Sequence, residues 1–252
     1  MKILKGKNFT LYCADNEKVI PLLDYKNSVI ITSPPYNLNR KYDNYVDNNS
    51  EYYNFLYRKF NLLYQKAEKD TRFIVILKDN FSDFDFINFE FYSLMKKIGW
   101  KFFGYYVVES SHISKYTAWG SWCSASAPRI RINHEMIQVY YKETYKRLNK
   151  GKSTISPEKF KEYTLSLIKG NSWFSKEINK KEHPAQFSPV LIDRLINLFS
   201  YENDTVIDIF NGVGNTGLSA IRNGRKYIGI DISEKYILTT YKKLEAEENK
   251  LF

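Results

Sequence analysis

The spacing of hydrophobic residues along this chain changes repeatedly between two patterns. Short, nearly continuous runs rich in β-branched and aromatic side chains are typical of buried strands. These runs predict strands over 9–13, 28–32, 73–77, 102–110, 135–141, 205–210 and 226–232. Apolar residues at helical spacing predict helices between the first two strands and over 51–68, 86–98, 188–200, 216–224 and 233–249. Strands that alternate with helices indicate an α/β fold, with a mostly parallel central sheet and helices on both faces.

One stretch, residues 142–182, interrupts this alternation. It is polar and rich in lysine, and its periodicity is weak. The length of 252 residues is enough for one substantial hydrophobic core. We therefore predict a single domain over 1–252, in which 142–182 is a candidate inserted segment.

Charge narrows the choice of partner, because the formal net charge is +10 and the isoelectric point is near 9.3. Excess positive charge favours phosphate-rich partners such as nucleic acids, although a lysine-rich proteome would raise the isoelectric point of any protein. Aromatic residues make up 17% of the chain, and such side chains can stack on unpaired bases or fill a core. No apolar run is long enough to span a bilayer, and we see no signal peptide, so we expect a cytoplasmic protein.

The first special stretch is SPPY at 33–36, which follows a predicted strand directly after Thr32. Proline lacks an N–H group and has a fixed φ, so it does not occur inside a central strand. The strand must therefore end here, and the chain turns sharply. This turn presents a hydroxyl group, carbonyl oxygens and an aromatic ring at the end of a buried strand.

The second special stretch places Gly212, Gly214 and Gly217 in the spacing G-x-G-x-x-G, between a predicted strand and a predicted helix. Asp231 then ends the next strand. This pattern matches a dinucleotide fingerprint, in which the backbone approaches the ligand and a carboxylate binds ribose hydroxyls. The glycines could also serve only a tight turn. Too few residues follow Asp231 for the further strands of a nicotinamide-binding fold, so we expect the remaining strands to come from earlier in the chain.

Both special stretches follow predicted strands of the same sheet. In open α/β sheets, ligands bind at the carboxyl ends of the central strands. We therefore expect the glycine loop to lie at the centre of the sheet and to face the same crevice as SPPY.

Taken in this order, the two stretches resemble those of the S-adenosylmethionine-dependent DNA amino-methyltransferases of the beta group, whose catalytic motif precedes the cofactor motif. SPPY resembles the catalytic tetrapeptide of that family, and DIFNGVGNTG at 208–217 resembles its cofactor loop. Further similarity lies in CAD at 13–15, HPAQFSP at 183–189, and the region from 117 to 135. The resemblance covers most of the chain outside 142–182. It implies a Rossmann-like methyltransferase fold with a circularly permuted motif order.

The resemblance also implies partners. The cofactor would be S-adenosylmethionine, and the substrate would be double-stranded DNA with a flipped target base. A cognate restriction endonuclease is a further expected partner, and 142–182 would help to recognise the target sequence. The chain is compatible with a monomer or a homodimer.

Catalytic roles are implied for Ser33, Pro34, Pro35 and Tyr36. The hydroxyl of Ser33 and the carbonyl oxygen of Pro34 would accept hydrogen bonds from the target amine, while the prolines hold the turn rigid. Tyr36 would stack on the flipped base. This chemistry needs neither a metal ion nor a covalent nucleophile.

The resemblance assigns further residues to the cofactor, and position beside the proposed loops suggests contacts with DNA. Asp231 would accept hydrogen bonds from the ribose hydroxyls, and Asp15 would lie near the adenine amino group. The implied cofactor-binding residues are Asp15, Thr32, His183, Pro184, Phe187, Asp208, Phe210, Asn211, Gly212, Gly214, Asn215, Thr216, Asp231 and Ile232. The candidate DNA-binding residues are Asn37, Arg40, Lys41, Trp119, Trp122, Arg129 and Arg131.

The target base is expected to be cytosine, methylated on N4, because a leading serine in the tetrapeptide favours this reaction within the family. Methylation of adenine N6 is the alternative within the same fold. Methylation of cytosine C5 is rejected, because that reaction requires a cysteine after proline, and neither Cys13 nor Cys123 has this context. More remote alternatives are an NAD-dependent oxidoreductase and a non-enzymatic nucleic-acid-binding protein.

Overall fold

The computed structural model describes residues 1–37, 51–77, 87–109, 119–130, 133–169 and 189–250. The strands in these ranges are β1 (Lys2–Lys5), β2 (Phe9–Cys13), β3 (Ser28–Thr32), β4 (Arg72–Leu77), β5 (Lys101–Glu109), β6 (His134–Tyr141), β7 (Leu167–Ile168), β8 (Thr205–Asp208) and β9 (Lys226–Asp231). The helices are α1 (Asn16–Val19), α2 (Tyr52–Lys66), α3 (Ile87–Ile98), α4 (Pro157–Tyr163), α5 (Pro189–Phe199), α6 (Asn215–Arg222) and α7 (Glu234–Glu248). A short 3-10 helix, Ile20–Leu22, follows α1.

All the described strands join one sheet in the order β1-β2-β9-β8-β3-β4-β6-β5-β7. The central strands from β2 to β4 run parallel to one another. β1 is antiparallel to β2, and β6 is antiparallel to both of its neighbours. The prediction of a mostly parallel α/β sheet is therefore confirmed, with antiparallel pairing towards both edges.

Two hydrophobic clusters cover the two faces of the sheet, because successive side chains of a strand point to opposite sides. In β3, Ile30 packs in the cluster beneath α2 and α3, whereas Val29 and Ile31 pack in the cluster beneath α5, α6 and α7. Both clusters are almost fully buried. This two-sided burial explains why β3 reads in the sequence as a continuous apolar run rather than an alternating one. In the described part of the chain, no helix is both long and apolar enough to cross a membrane.

The structure adds elements that the hydrophobic pattern did not predict, and it shortens one that it did. β1, β7 and α4 are additional, and the last two lie inside 142–182. The predicted strand 205–210 ends early, at Asp208. Its carboxylate accepts a hydrogen bond from the backbone N–H of Phe210 at 3.0 Å, which turns the chain out of the sheet.

The described part of 142–182 contacts the sheet at two places, through Arg147 and through β7. Arg147 is buried and donates to Asp70 at 3.2 Å and to Asp204 at 2.9 Å, just before β4 and β8 begin. Further along, β7 pairs in parallel with Val107 and Val108 of β5. The segment therefore runs from the amino-terminal edge of the parallel strands towards their carboxyl-terminal edge. A role in target recognition stays a prediction.

Candidate active site

SPPY and the glycine loop, which we define as residues 208–217, lie at the carboxyl ends of two adjacent strands. β3 and β8 are parallel neighbours at the centre of the sheet, with Ile30 opposite Ile207. Beyond this pair, the hydroxyl of Thr32 donates to the carboxylate of Asp208 at 2.6 Å. The prediction that the two stretches meet at the centre of one sheet edge is confirmed.

Ser33 is held between its own turn and the next strand. Its Oγ lies 2.8 Å from the hydroxyl of Tyr36 and 3.2 Å from the carbonyl oxygen of Ile76 in β4. A serine hydroxyl has one proton, and a carbonyl can only accept. When Ser33 donates to Ile76, a lone pair of Oγ is left to accept a hydrogen bond.

The carbonyl groups of the two prolines differ in their hydrogen bonding to the described residues. The carbonyl oxygen of Pro35 accepts from the hydroxyl of Tyr52 in α2 at 2.7 Å, which fixes the turn to the helix above it. Among the described residues, no donor bonds to the carbonyl oxygen of Pro34. The geometry therefore leaves Pro34 able to accept a hydrogen bond from a ligand.

Tyr36 takes a more enclosed position than the sequence suggests. Only 3% of the residue is exposed, and its ring belongs to the hydrophobic cluster that also contains Tyr52. Its proposed stacking on a base therefore requires a movement that uncovers one face of the ring. In the structure as it stands, the hydroxyl of Tyr36 lies beside Oγ of Ser33 at 2.8 Å.

The backbone of the glycine loop is fixed by packing and by positive φ angles. Gly212 has a φ of 51°, and Gly214, which caps the start of α6, has a φ of 77°. A Cβ atom at Gly214 would lie 2.3 Å from the side chain of Thr240 in α7. At Gly217, the added atom would lie 2.5 Å from the ring of Tyr227. The last two glycines therefore let the loop and α6 pack closely.

Four of the implied cofactor residues are buried and bond to other parts of the protein: Thr32, Asp208, Asn211 and Thr216. Asp208 accepts from Thr32 and from the backbone of Phe210, and it also bonds to the buried hydroxyl of Thr216. The buried amide of Asn211 donates to Gly212 and Thr240 and accepts from Tyr227. These side chains shape the loop, in which Phe210 and Asn215 are partly buried, while Ile232 after β9 is 64% exposed.

Asp231 connects the glycine loop to the end of β9. One carboxylate oxygen accepts from the backbone N–H of Gly212 at 2.8 Å, and the other accepts from that of Ser233 at 2.9 Å. The backbone N–H of Ile232 is a further donor to this carboxylate, which has about four acceptor sites and so keeps capacity for one more. Burial raises the pKa of Asp231 to about 6, although these hydrogen bonds oppose the shift.

Burial also raises the pKa of Asp208 to about 6, against the hydrogen bonds that stabilise its carboxylate. Thus two acidic groups with raised pKa values occur at neighbouring strand ends, which is typical of a functional site. Across the described ranges, histidine, cysteine and carboxylate side chains form no group of three that could hold a metal ion.

Asp15 lies after β2, next to the end of β9, where the backbone N–H of Ala14 donates to Asp231. Its carboxylate caps α1 and lies 3.4 Å from the ammonium group of Lys59, which also pairs with Glu17 at 2.9 Å. The side chain of Lys59 is only 5% exposed. We had not predicted this residue, although a lysine on the apolar face of α2 was a visible signal.

The ring of Phe55 extends the margin of the site from α2. The ammonium group of Lys59 lies 4.4 Å from the centroid of this ring, and the ring of Phe210 is 6.1 Å away. Phe55 and Lys59 therefore connect α2 with both the glycine loop and the turn that holds Asp15.

The candidate DNA-binding residues are only partly described. Trp119, Trp122 and Arg129 lie between β5 and β6, beyond the carboxyl end of β5, on the same side of the sheet as SPPY. Asn37 directly follows SPPY and has a positive φ of 55°. Six other site residues lie outside the described residues: Arg40, Lys41, Arg131, His183, Pro184 and Phe187.

Comparison with known proteins identifies the relatives of this chain. The DNA methylase family profile for N6 and N4 enzymes matches residues 28–242. The type II methyltransferase M.MjaVI of Methanocaldococcus jannaschii is 31% identical over 159 residues, which is 62% of this chain and 82% of that protein.

Solved structures show that the fold is shared. A crystal structure of TTHA0409, a putative DNA modification methylase from Thermus thermophilus complexed with S-adenosyl-L-methionine, has a TM-score of 0.71 and 19% identity, with 94% of this chain and 95% of that chain covered. The PvuII DNA methyltransferase, which is cytosine-N4-specific, has a TM-score of 0.71 and 20% identity, with 97% and 93% covered. The predicted Rossmann-like methyltransferase fold is thereby confirmed, while the circular permutation stays a prediction. Since the family profile spans most of the sequence, from β3 to α7, the chain belongs to the N6/N4 family of DNA methylases.

Proposed function

We propose that this protein transfers a methyl group from S-adenosylmethionine to the N4 amine of cytosine within a specific DNA sequence. The observation that carries the proposal is the direct joining of SPPY and the glycine loop at adjacent strand ends, through Thr32 and Asp208. Membership of the DNA methylase family supports this reaction over an oxidoreductase and over a non-enzymatic nucleic-acid-binding protein. The similarity to type II methyltransferases supports a role in a cytoplasmic restriction–modification system, with a cognate endonuclease as partner.

The cofactor site suits a positively charged ligand that carries hydroxyl groups. Asp231 is partly exposed and keeps acceptor capacity beyond its backbone hydrogen bonds, so it would hold the ribose. Gly212, which is partly exposed, lets the backbone approach the ligand, and the partly buried ring of Phe210 lies two residues before it. Asp15 would accept from the adenine amino group. When bound, S-adenosylmethionine supplies an electrophilic methyl group on a positively charged sulfur.

Ser33 and Pro34 would act on the amine that receives the methyl group. The lone pair of an exocyclic amine is delocalised into the ring of the base, which makes the nitrogen a weak nucleophile. Acceptors that bind the two N–H protons hold the amine in one orientation and return electron density to nitrogen. Oγ of Ser33, which can donate to Ile76, and the carbonyl of Pro34 are suited to this task.

The target base has to leave the duplex to reach this turn, because its amine is otherwise paired and stacked. We infer that entry of the base displaces neighbouring side chains that bury Tyr36, so that its ring can stack on the base. Pro35 keeps the turn attached to α2 during this movement through its bond from Tyr52.

The DNA would lie across the carboxyl edge of the sheet. Trp119, Trp122 and Arg129 are exposed beyond β5, and Asn37 adjoins the catalytic turn. Arg40, Lys41 and Arg131 remain proposed phosphate contacts. The net charge of +10 supports a polyanionic substrate.

Adenine N6 is the second candidate target, because its amine has the same donor geometry and the family includes both activities. Ser33 at the head of the tetrapeptide favours cytosine, and the cytosine-N4-specific PvuII enzyme has the same fold.

The experiment that tests the proposal is mass spectrometry of nucleosides from plasmid DNA. The plasmid is isolated from cells that express this protein and contain no other DNA methyltransferase. We expect N4-methylcytosine with the wild type and with Ser93→Ala, a control at an exposed serine of α3. Ser33→Ala should lower the amount by at least about a hundredfold, because it removes an acceptor that acts on the reacting nitrogen. N6-methyladenine instead would reassign the base, and the absence of both modified nucleosides would overturn the proposal.

A further inference from the structure

A buried hydrogen bond joins the two halves of the site where the backbone ladder between them ends. The last paired residues of β3 and β8 are Ile30 and Ile207. Beyond them, Thr32 donates to Asp208 at 2.6 Å, from one strand end to the other. A side-chain bond thus continues a connection that the backbone no longer makes.

Asp208 is enclosed by donors from the protein. Only 3% of the residue is exposed, and the Oδ1 atom that receives Thr32 also receives the backbone N–H of Phe210 at 3.0 Å. The hydroxyl of Thr216, near the start of α6, bonds to the same carboxylate. This arrangement leaves no surface of Asp208 for a cofactor, in contrast to the partly exposed Asp231.

The residues proposed for catalysis and for cofactor binding directly adjoin this hydrogen bond. Ser33 follows Thr32, and its Oγ is 3.2 Å from the carbonyl oxygen of Ile76 in β4. The glycine loop begins with Asp208 itself. Two side-chain contacts therefore connect the ends of three neighbouring strands. Thr32 connects β3 to β8, and Ser33 connects β3 to β4.

We propose that the hydrogen bond from Thr32 to Asp208 fixes the separation between the catalytic turn and the cofactor loop, and that both residues are positioning residues. This inference rests on the proposed function, because the proposed function places the target amine at SPPY and the methyl group of the cofactor at the glycine loop. A displacement of about 1 Å between reacting groups can cost about a hundredfold in rate. The bond should therefore affect the rate of transfer more than the binding of either ligand.

The test compares Thr32→Val, which keeps the shape and removes the hydroxyl, with Thr32→Ser, which restores a hydroxyl. Thr10→Val in β2 is the matched control for replacing a strand threonine. The measurements are the single-turnover rate of labelled methyl transfer from S-adenosylmethionine to unmethylated phage DNA, the dissociation constant of S-adenosylhomocysteine, and the melting temperature. All rates are measured below the melting temperature of every variant.

We expect Thr32→Val to lower the transfer rate by at least about tenfold, while its affinity for S-adenosylhomocysteine stays within about twofold of the wild type. Thr32→Ser should recover most of the rate, and Thr10→Val should match the wild type. An unchanged rate in Thr32→Val would overturn the inference. So would an equal loss of rate and affinity, or a failure of Thr32→Ser to recover the rate. A wild-type protein that transfers no methyl group to DNA would instead overturn the proposed function, and this inference with it.

Discussion

At the scale of single residues, Asp208 and Asp231 show that similar acidic side chains take different roles according to their exposure. Both pKa values are raised to about 6 by burial. Asp208 accepts hydrogen bonds from two hydroxyl groups and a backbone N–H and is buried, whereas Asp231 accepts from backbone N–H groups alone among the described donors and is partly exposed. The resemblance assigned both residues to the cofactor, whereas the exposure of the two side chains leads us to propose this role for Asp231 alone.

The raised pKa of Asp231 predicts that cofactor binding depends on pH. The carboxylate form, which accepts hydroxyl donors, predominates above the pKa of about 6 and is lost below it. The affinity for S-adenosylhomocysteine should therefore fall as the pH is lowered, by about tenfold for each pH unit below the pKa. Isothermal titration calorimetry from pH 5 to about pH 8 measures this dependence.

Two variants separate Asp231 from other acidic residues. Asp231→Asn should bind weakly at every pH and lose most of the pH dependence, whereas Asp15→Asn should keep it. A pH dependence that survives in Asp231→Asn would contradict the assignment. The stability of the free protein depends on pH in the opposite direction to the affinity. Because the pKa of Asp231 in the folded protein is above the ordinary value of 3.8, the contribution of Asp231 to the free energy of unfolding falls as the pH rises from about 4 to about 6.

At the scale of elements, residues 119–130 form a compact turn that presents two tryptophans. Gly120 bridges to Pro128, and the backbone N–H of Ser121 donates to Ala127 at 2.9 Å. The rings of Trp119 and Trp122 meet edge to face at 5.2 Å. Gly120 has a φ of 72°, and a Cβ atom there would lie 2.3 Å from the carbonyl oxygen of Ala127, so this turn requires glycine. The turn therefore holds exposed rings in a fixed arrangement.

Trp122, which is 68% exposed, should contribute to DNA binding and little to folding. We expect Trp122→Ala to weaken DNA binding by about tenfold, because stacking of an aromatic ring on a base contributes about 1–3 kcal/mol. The melting temperature and the affinity for S-adenosylhomocysteine should not change. Fluorescence anisotropy with a labelled duplex measures the affinity at one fixed salt concentration.

The matched control for this variant is Leu22→Ala, which removes a 65% exposed apolar side chain from the 3-10 helix after α1. It should bind DNA as the wild type does. Equal affinities of Trp122→Ala and the wild type would show that the exposed rings do not touch DNA.

At the scale of the whole molecule, Arg147 joins the segment after β6 to two strands that are distant in sequence. Its guanidinium group donates to Asp70 and Asp204, and all three side chains are buried. The bonded groups lie at the amino-terminal edge of the sheet, away from SPPY. The network therefore holds the architecture together without entering the site.

Arg147→Ala should lower the free energy of unfolding by about 3–5 kcal/mol, because it leaves two buried carboxylates without their cation. Urea denaturation measures this change. The affinity of the remaining folded protein for S-adenosylhomocysteine should stay at the wild-type value. Lys152→Ala provides the contrast, since it breaks an exposed ion pair with Glu202 and should cost at most about 1 kcal/mol. Equal effects of the two variants would contradict the structural role of Arg147.

Local patterns in the sequence determined the central strands, most of the helices and the two stretches that form the site. The runs at β2 and β3 matched the observed bounds. Every residue of β3 is buried, which demands a continuous apolar run, whereas β2 begins with buried residues that alternate with a half-buried one. The prolines of SPPY and the glycine spacing were legible because they constrain the backbone wherever they occur. The short strands β1 and β7 were not predicted, since two to four residues carry too little periodicity.

Only the tertiary structure decided which site residues face the crevice. Whether Asp208 contacts a ligand or Thr32 depends on a strand pairing between residues distant in the sequence. The burial of Tyr36 and the cation of Lys59 beside Asp15 likewise arise from packing between elements. Sequence patterns report local backbone preference and average burial, whereas the direction and partners of a side chain are fixed only when distant segments come together.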